Sequence, residues 1–210
     1  MNKYNTVATF DKWAEKYQEK YMDFDLYDDT YDAFCNLIKN ELAEVLDVAC
    51  GPGNITKYVL SRHPTFKIHG FDLSPKMIGL ARYNNPIATF EVMDSRHVNK
   101  ISKRYDAIIC GFCFPYLSKE DIARFIQNLR NILKENGLIY LSTMEDNEER
   151  SGLETSSAGD QVYIHYHQFE FISYHLEKND FKIIEVFRKD FPVENGIPTT
   201  DLIVFAQACS

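Results

Sequence analysis

Three carboxylates in this chain lie where short apolar runs give way to turns: Asp47 in VLDVACGPGNIT, Asp72 in GFDLS and Asp94 in MDSRH. The first segment is an apolar run that turns through Gly51-Pro52-Gly53 and then reads as a helix. The first backbone N–H groups of a helix have no partner within it, and they face the preceding turn. Glycines in the turn let a ligand approach the backbone closely, although a bare strand-to-helix turn uses glycine as well. Two details narrow the ligand. A dinucleotide fingerprint has a third glycine three residues after the second, and here that position is Thr56. Asp47 would repel a pyrophosphate, but it would attract the α-ammonium group of a methionine moiety, directly or through water.

Asp72 follows Gly53 by nineteen residues. At the end of a second strand, a carboxylate is an acceptor that can pair with both hydroxyls of a ribose. Nucleotide and adenosylmethionine sites share this signal. Asp94, with the Ser95 backbone beside it, suits the exocyclic amine of an adenine, though alone such an acid is more often a turn residue. Together the three acids occupy the carboxyl ends of three successive strands, the edge at which open α/β sheets bind ligands.

Other polar groups leave alternatives open. Cys110 and Cys113 form a single C-x-x-C with no second pair, which reads as a metal or redox pair or as two small hydrophobes at a strand end. His165 and His167 flank Tyr166. Either histidine could serve as a base for a hydroxyl substrate, or one could cap the following helix while the other is exposed. No metal site is expected, because spacing identifies no further ligands. Phe112, Tyr116 and Tyr166 are candidates for a substrate pocket, with plain packing as the alternative for the first two. No catalytic triad is visible.

The elements that must position these residues follow from apolar periodicity. Residues 44–49, 67–71, 89–93, 105–110 and 138–143 read as strands rich in Val, Ile, Phe and Tyr. Helices lie between them: 54–61, one capped by Ser74 with Pro75 in its first turn, and one opened by Ser118 and Asp121 and ended by Gly137 near Glu135. Such alternation predicts right-handed crossovers and a mainly parallel sheet covered on both faces. A helix over 168–179 and two strand-like runs, 182–188 and 201–207, suggest an antiparallel pair at one edge. Phe10, Trp13, Ala14, Tyr17 and Tyr21 make an aromatic stripe on an N-terminal helix, packed on the core or closing over a site. Residues 145–160 read as a polar loop with six carboxylates against Arg150, which favours a neutral or cationic substrate beside it or is simply solvated.

With 210 residues, 45% hydrophobic and 26% charged, the chain suits one globular domain. A net charge of -8 disfavours a nucleic-acid substrate. No apolar run is long enough for a membrane span, the N-terminus lacks a signal-peptide core, and five cysteines without framework spacing suit a reducing compartment. A cytoplasmic location is therefore expected.

As an ordered set, LDVACGPGN, GFDLS, MDSRH, YDAIICGFCFPYLS, NGLIYLSTM and HQFEFISYHLEKNDFKIIEV resemble the class I S-adenosylmethionine-dependent methyltransferases, in the small-molecule branch typified by ubiquinone biosynthesis. The resemblance covers residues 10–188. Ala49 departs from it, since the family often has glycine there. What the resemblance implies is a Rossmann-like α/β fold with a seven-stranded sheet in the order 3-2-1-4-5-7-6, strand seven antiparallel, helices on both faces and an N-terminal helical lid. It divides the single domain into a lid segment (1–42), a cofactor-binding core (43–143), a variable substrate-side loop and strand (144–166), and a C-terminal helix with edge hairpin (167–210). The implied cofactor is S-adenosyl-L-methionine, held by Tyr17, Tyr21, Asp47, Ala49, Cys50, Gly51, Gly53, Asn54, Asp72, Leu73, Met77, Asp94, Ser95, Cys110 and Gly111. The implied reaction is in-line displacement onto a small-molecule acceptor, which requires alignment and exclusion of water and needs a base only if the nucleophile must lose a proton. Enzymes that methylate amines on nucleic-acid bases resemble one another in a polar-Pro-Pro-aromatic motif where this chain has Phe114-Pro115-Tyr116. The alternatives are a protein that binds adenosylmethionine without transferring its methyl, and a nicotinamide-dependent oxidoreductase, against which Thr56 and Asp47 argue.

Overall fold

The structure, a computed structural model, describes residues 3–155, 160–192 and 199–209. Helices α1 (Lys3–Tyr21) and α2 (Asp28–Leu37) precede the alternating part. That part runs β1 (Glu44–Val48), α3 (Asn54–Arg62), β2 (Lys67–Asp72), α4 (Pro75–Asn84), β3 (Thr89–Val92), β4 (Tyr105–Cys110), α5 (Lys119–Ile132) and β5 (Leu133–Glu145). A small hairpin, β6 (Gly152–Thr155) and β7 (Gln161–Ile164), leads to α6 (Phe169–Lys178), β8 (Phe181–Phe191) and β9 (Thr199–Ala208).

The main sheet has seven strands in the order β3-β2-β1-β4-β5-β9-β8. With the β6–β7 hairpin set aside, this is the expected 3-2-1-4-5-7-6. β1 to β5 pair in parallel, and β9 runs antiparallel to both β5 and β8. Because successive strand residues face opposite sides, β4 divides its apolar residues between two cores. Ile108 and Cys110 join the cluster with Phe125, Leu129 and Ile172 from α5 and α6. Ala107 and Ile109 join the one containing Tyr31, Phe34 and Val59 from α2 and α3. Both faces are covered, as near-continuous apolar strands require.

The caps read from sequence form. The Ser74 hydroxyl accepts from the Met77 N–H at 3.1 Å, and that of Ser118 accepts from the Asp121 N–H at 3.2 Å. Three features differ from expectation. First, α5 ends at Ile132 and not near Glu135, and Gly137 is not its left-handed terminator. Asn136 takes the positive φ of 58°, whereas at Gly137 a Cβ would lie 2.9 Å from the Lys134 carbonyl oxygen. Second, of the expected lid segment only α1 covers the larger cavity. α2 is core, with Phe34 1% exposed and the Tyr31 ring centre 5.4 Å from that of Tyr140. Third, residues 145–160 are not one loop: β5 extends to Glu145, whose carboxylate is gripped by Arg188, and β6 pairs with β7 from Gly152 to Thr155. Most carboxylates of this stretch are matched: Asp146 to Arg150, Glu148 to Lys119, Glu154 to the Tyr166 hydroxyl and Asp160 to Lys12 and Trp13. The local negative field expected from the sequence is therefore largely cancelled. No helix among the described residues is long and apolar enough to cross a membrane.

Candidate active site

After β1 the backbone enters the left-handed region at Ala49 (φ 54°), Gly51 (φ 53°) and Gly53 (φ 79°). Gly53 serves the turn and not the cavity: a Cβ there would press on the Asn85 amide and on the Ala81 backbone. Ala49, where the resemblance implies glycine, holds a conformation that costs an alanine roughly 1–2 kcal/mol. Strain of this kind collects at functional sites, and Phe112 at the end of β4 repeats it (φ 52°), its N–H donating to the Ser142 Oγ at 3.0 Å.

Thr56, in the place of the third glycine, donates its hydroxyl to Asp47 Oδ2 at 2.6 Å. Asp47 lies beneath the turn, 1% exposed, and does not line the site. Its Oδ1 has no hydrogen-bond partner among the described residues. Burial pushes its carboxyl up to about 7, against the opposing hydrogen bond from Thr56.

Asp72 does reach the site. Its Oδ2 accepts from the Gly51 N–H at 3.0 Å and its Oδ1 from the Ser74 N–H at 2.8 Å. These two bonds fix the carboxylate and leave lone pairs on both oxygens for a ligand. Burial raises its carboxyl and the backbone donors act against that rise. Asp94 is gripped by Arg96, which donates from Nε at 2.9 Å and Nη2 at 2.8 Å. Arg96, absent from the expected set, thus orients the acid and is itself part of the wall.

These residues border a cavity of about 510 Å³ at the carboxyl edge of β1, β2 and β4, within the usual size of small-molecule sites. Of the expected residues, Tyr17, Ala49, Gly51, Asp72, Leu73, Met77, Asp94, Ser95 and Gly111 line it, with Phe112 and Tyr116 opposite. A second cavity of about 190 Å³ adjoins it, sharing Tyr17, Ala49, Gly51, Gly111, Phe112 and Tyr116. Tyr21, Cys50 and Asn54 border only this smaller one, together with Tyr27 and Asp201, which the sequence did not single out.

Cover comes from α1. Asp11 accepts from the Ser74 hydroxyl and the Lys76 N–H, Gln18 from Asn84 at 2.7 Å, and Asp160 from Lys12 and Trp13. The Phe10 and Tyr116 rings meet edge to face at 5.0 Å.

Several expected residues lie elsewhere. Cys110 is fully buried in the core, where burial pushes its thiol up, whereas Cys113 is part of the wall of the larger cavity and donates to the Ser95 Oγ at 3.4 Å. No cluster of His, Cys, Asp and Glu suited to a metal occurs among the described residues. Tyr166 is not substrate-facing: buried, it donates to Glu154 Oε1 at 3.0 Å and stacks under Arg150. Of the histidines, His165 borders the larger cavity. His167 neither caps α6 nor is exposed. Its Nε2 bonds the Phe114 carbonyl at 3.1 Å, and burial lowers it to about 4, so it stays neutral and structural.

A seven-stranded sheet of this order, with an acid fixed at the end of β2 beside a glycine turn after β1, defines the class I methyltransferase fold. Comparison with known proteins agrees. The family described as "Methyltransferase domain" matches residues 45–137. The malonyl-[acyl-carrier protein] O-methyltransferase of Acetivibrio thermocellus is 31% identical over 102 residues, 48% of this chain and 35% of that enzyme, so the alignment spans about a third of the relative's length. The same fold occurs in an S-adenosylmethionine-dependent methyltransferase from Clostridium acetobutylicum (TM-score 0.72, 17% identity, 100% of both chains). It occurs again in the 1,6-didemethyltoxoflavin-N1-methyltransferase of Burkholderia thailandensis (TM-score 0.71, 16% identity, 98% and 88% of the chains). Residues 45–137 are thus similar to the methyltransferase domain family, and the chain has the fold of S-adenosylmethionine-dependent methyltransferases.

Proposed function

We propose that the chain is a methyltransferase acting on a small molecule, with the cofactor in the larger cavity and the acceptor in the smaller. The observation that carries this reading is the adjoining pair of cavities, which meet at Gly51, Gly111 and Phe112 under the cover of α1. The residues present fit an adenosyl group. Asp72 offers two backbone-fixed carboxylate oxygens to a ribose, the Asp94–Ser95 edge faces an adenine, and Leu73 and Met77 supply apolar contact. Gly51, with no Cβ and a left-handed φ, leaves the backbone open toward the tail, with Tyr17 across from it.

When bound, S-adenosylmethionine supplies an electrophilic methyl on a sulfonium. The chain's part is to hold the acceptor in line and to exclude water. α1 and the aromatic walls exclude water, and the strained Phe112 backbone fixes the junction between the two cavities. Space of this size suits a small acceptor and not a polymer, in keeping with the 1,6-didemethyltoxoflavin that the Burkholderia thailandensis neighbour holds together with S-adenosylhomocysteine.

Calorimetric titration with S-adenosylmethionine, S-adenosylhomocysteine and NAD tests the cofactor. Release of S-adenosylhomocysteine on incubation with a small-molecule extract tests the transfer. Tight NAD binding without adenosylmethionine binding would sink the proposal, and adenosylmethionine binding without turnover on any extract would reduce it to a binding protein.

A further inference from the structure

The smaller cavity carries one charged group, and it is unexpectedly placed. Asp201 is the third residue of the apolar strand β9 and is 2% exposed, yet no Lys, Arg or His lines the cavity among the described residues. The Tyr27 hydroxyl donates to its Oδ2 at 2.6 Å. No described residue donates to Oδ1, and that oxygen is not sealed away from the cavity. The cations nearby are committed elsewhere. Lys189, opposite Asp201 in the β8–β9 register, bonds Asp29 at 2.7 Å, and Lys20 lies over the rings of Tyr21 and Phe191. A buried carboxylate without a cation is costly to the fold, and such a group in a cleft points to a ligand that supplies the missing charge.

The walls have the same preference. Tyr21, Phe24, Tyr27, Phe112 and Phe191 line the space, with ring centres 5.2–6.0 Å apart at steep angles for the Tyr21–Phe24, Phe24–Tyr27 and Tyr27–Phe112 contacts. Aromatic faces attract cations and accept flat molecules. Lys20 over two of these rings is a cation already attracted to them.

We propose that the smaller cavity is a subsite for a flat nitrogen base carrying positive charge, boxed by these rings and paired through its N–H groups with Asp201. The proposal rests on the methyltransferase reading only for calling this ligand the methyl acceptor. It places Asp201 as the residue that sets specificity and rejects anions. Asp201 is also too far along the sheet to serve the cofactor's turn: β9 lies three strand steps from β1, ~14 Å at the usual strand spacing.

The groups facing Asp201 are Tyr27 before α2, Tyr140 on β5, and Lys189 and Asp190 on β8. Burial, helped by the Asp190 charge and opposed by the Tyr27 hydroxyl, raises its carboxyl to about 6. Cation binding is therefore expected to be full above pH 6 and to fade as the pH drops through it.

The test uses the full chain and three probes of one shape: benzamidine, which keeps its positive charge throughout, neutral benzamide, and benzoate. Calorimetry is expected to show benzamidine binding at least tenfold more tightly than benzamide, with benzoate excluded. Asp201→Asn should remove that preference while leaving adenosylmethionine affinity within about twofold. Tyr27→Phe, which keeps the ring, should move the pH midpoint for benzamidine upward, a change that loss of packing alone would not produce. Equal binding of benzoate and benzamidine, an unchanged preference in Asp201→Asn, or loss of adenosylmethionine binding in that variant would each overturn the proposal. Benzamidine selectivity in a protein that binds no adenosylmethionine would uphold the cation site and remove its role as acceptor site.

Discussion

Asp72 and Asp94 both line the larger cavity, but their surroundings give them unequal weight. Asp72 keeps both oxygens oriented by backbone donors alone, so a ribose can take two charge-assisted hydrogen bonds of roughly 1.5–3 kcal/mol each. Asp72→Ala should weaken adenosylmethionine binding by roughly tenfold to a few thousandfold, at about 1.4 kcal/mol per factor of ten. Asp94→Ala should cost less, since one bond to the adenine is at stake. Calorimetry on the two folded variants checks the order, and equal losses would refute it. Asp47 acts on the fold instead. Its carboxyl, raised to about 7 by burial, disfavours the charged form in the native state. The folded protein therefore holds a proton that the unfolded chain has already released, and stability falls as pH rises from about 4 to about 7, by on the order of 4 kcal/mol. Asp47→Asn should flatten that slope in denaturation curves taken at pH 4.5 and pH 8. Parallel curves for variant and wild type would refute the assignment. Asp72 and Asp94 were legible because each follows a strand-like run at a sheet edge. Asp201 was not, since ahead of an apolar run it reads as a solvated strand end, and its burial depends on Tyr27, 174 residues away in sequence.

Strands and helices were legible where apolar periodicity is strong and where a cap has local chemistry, as at Ser74 and Ser118. The misses have non-local causes. α2 reads as part of a cover, but Tyr31 and Phe34 find their partners on β5 and β9, at Tyr140 and Phe205. β6 is a polar segment whose pairing with β7 could not be read from its own composition. At the other extreme the turn after β1 is locally specified. Gly53 combines φ 79° with a site where a Cβ would meet Asn85 and Ala81. Gly53→Ala should therefore lower stability by more than the roughly 1–2 kcal/mol of left-handed strain alone, because Asn85 must also give up its 3.0 Å bond to the Gly53 carbonyl. Chemical denaturation gives the magnitude, and a variant within about 0.5 kcal/mol of wild type, the order usual for surface changes, would show that the turn is not held as described.

At the scale of the molecule, the larger cavity is assembled from both ends of the sequence inward: α1 covers it, the turns after β1, β2 and β4 form its floor, and His165 after β7 closes one side. α1 is latched by polar contacts to α4 and to Asp160 and buries little apolar surface, Ala14 being its one fully buried hydrophobic residue among those described. Such an element belongs to the low-stability end of a structure, where local opening precedes global unfolding. Cofactor binding should thus order α1 and stabilise the whole chain together. A ligand that binds only the native state contributes RT ln(1 + [L]/Kd), about 2.7 kcal/mol at one hundred times Kd. For a chain of this size each kcal/mol shifts Tm by roughly 2–4 °C. Saturating S-adenosylmethionine should therefore raise Tm by about 5–11 °C and slow amide exchange in 3–21, while NAD at the same concentration should do neither. In Asp72→Ala the Tm rise should shrink in step with the lost affinity, whereas in an Asp11→Ala variant, freed at the latch to Ser74 and Lys76, protection of α1 should fall first. If adenosylmethionine raised Tm without protecting α1 from exchange, the helix would be a fixed wall of the cavity and not a cover that closes with the ligand.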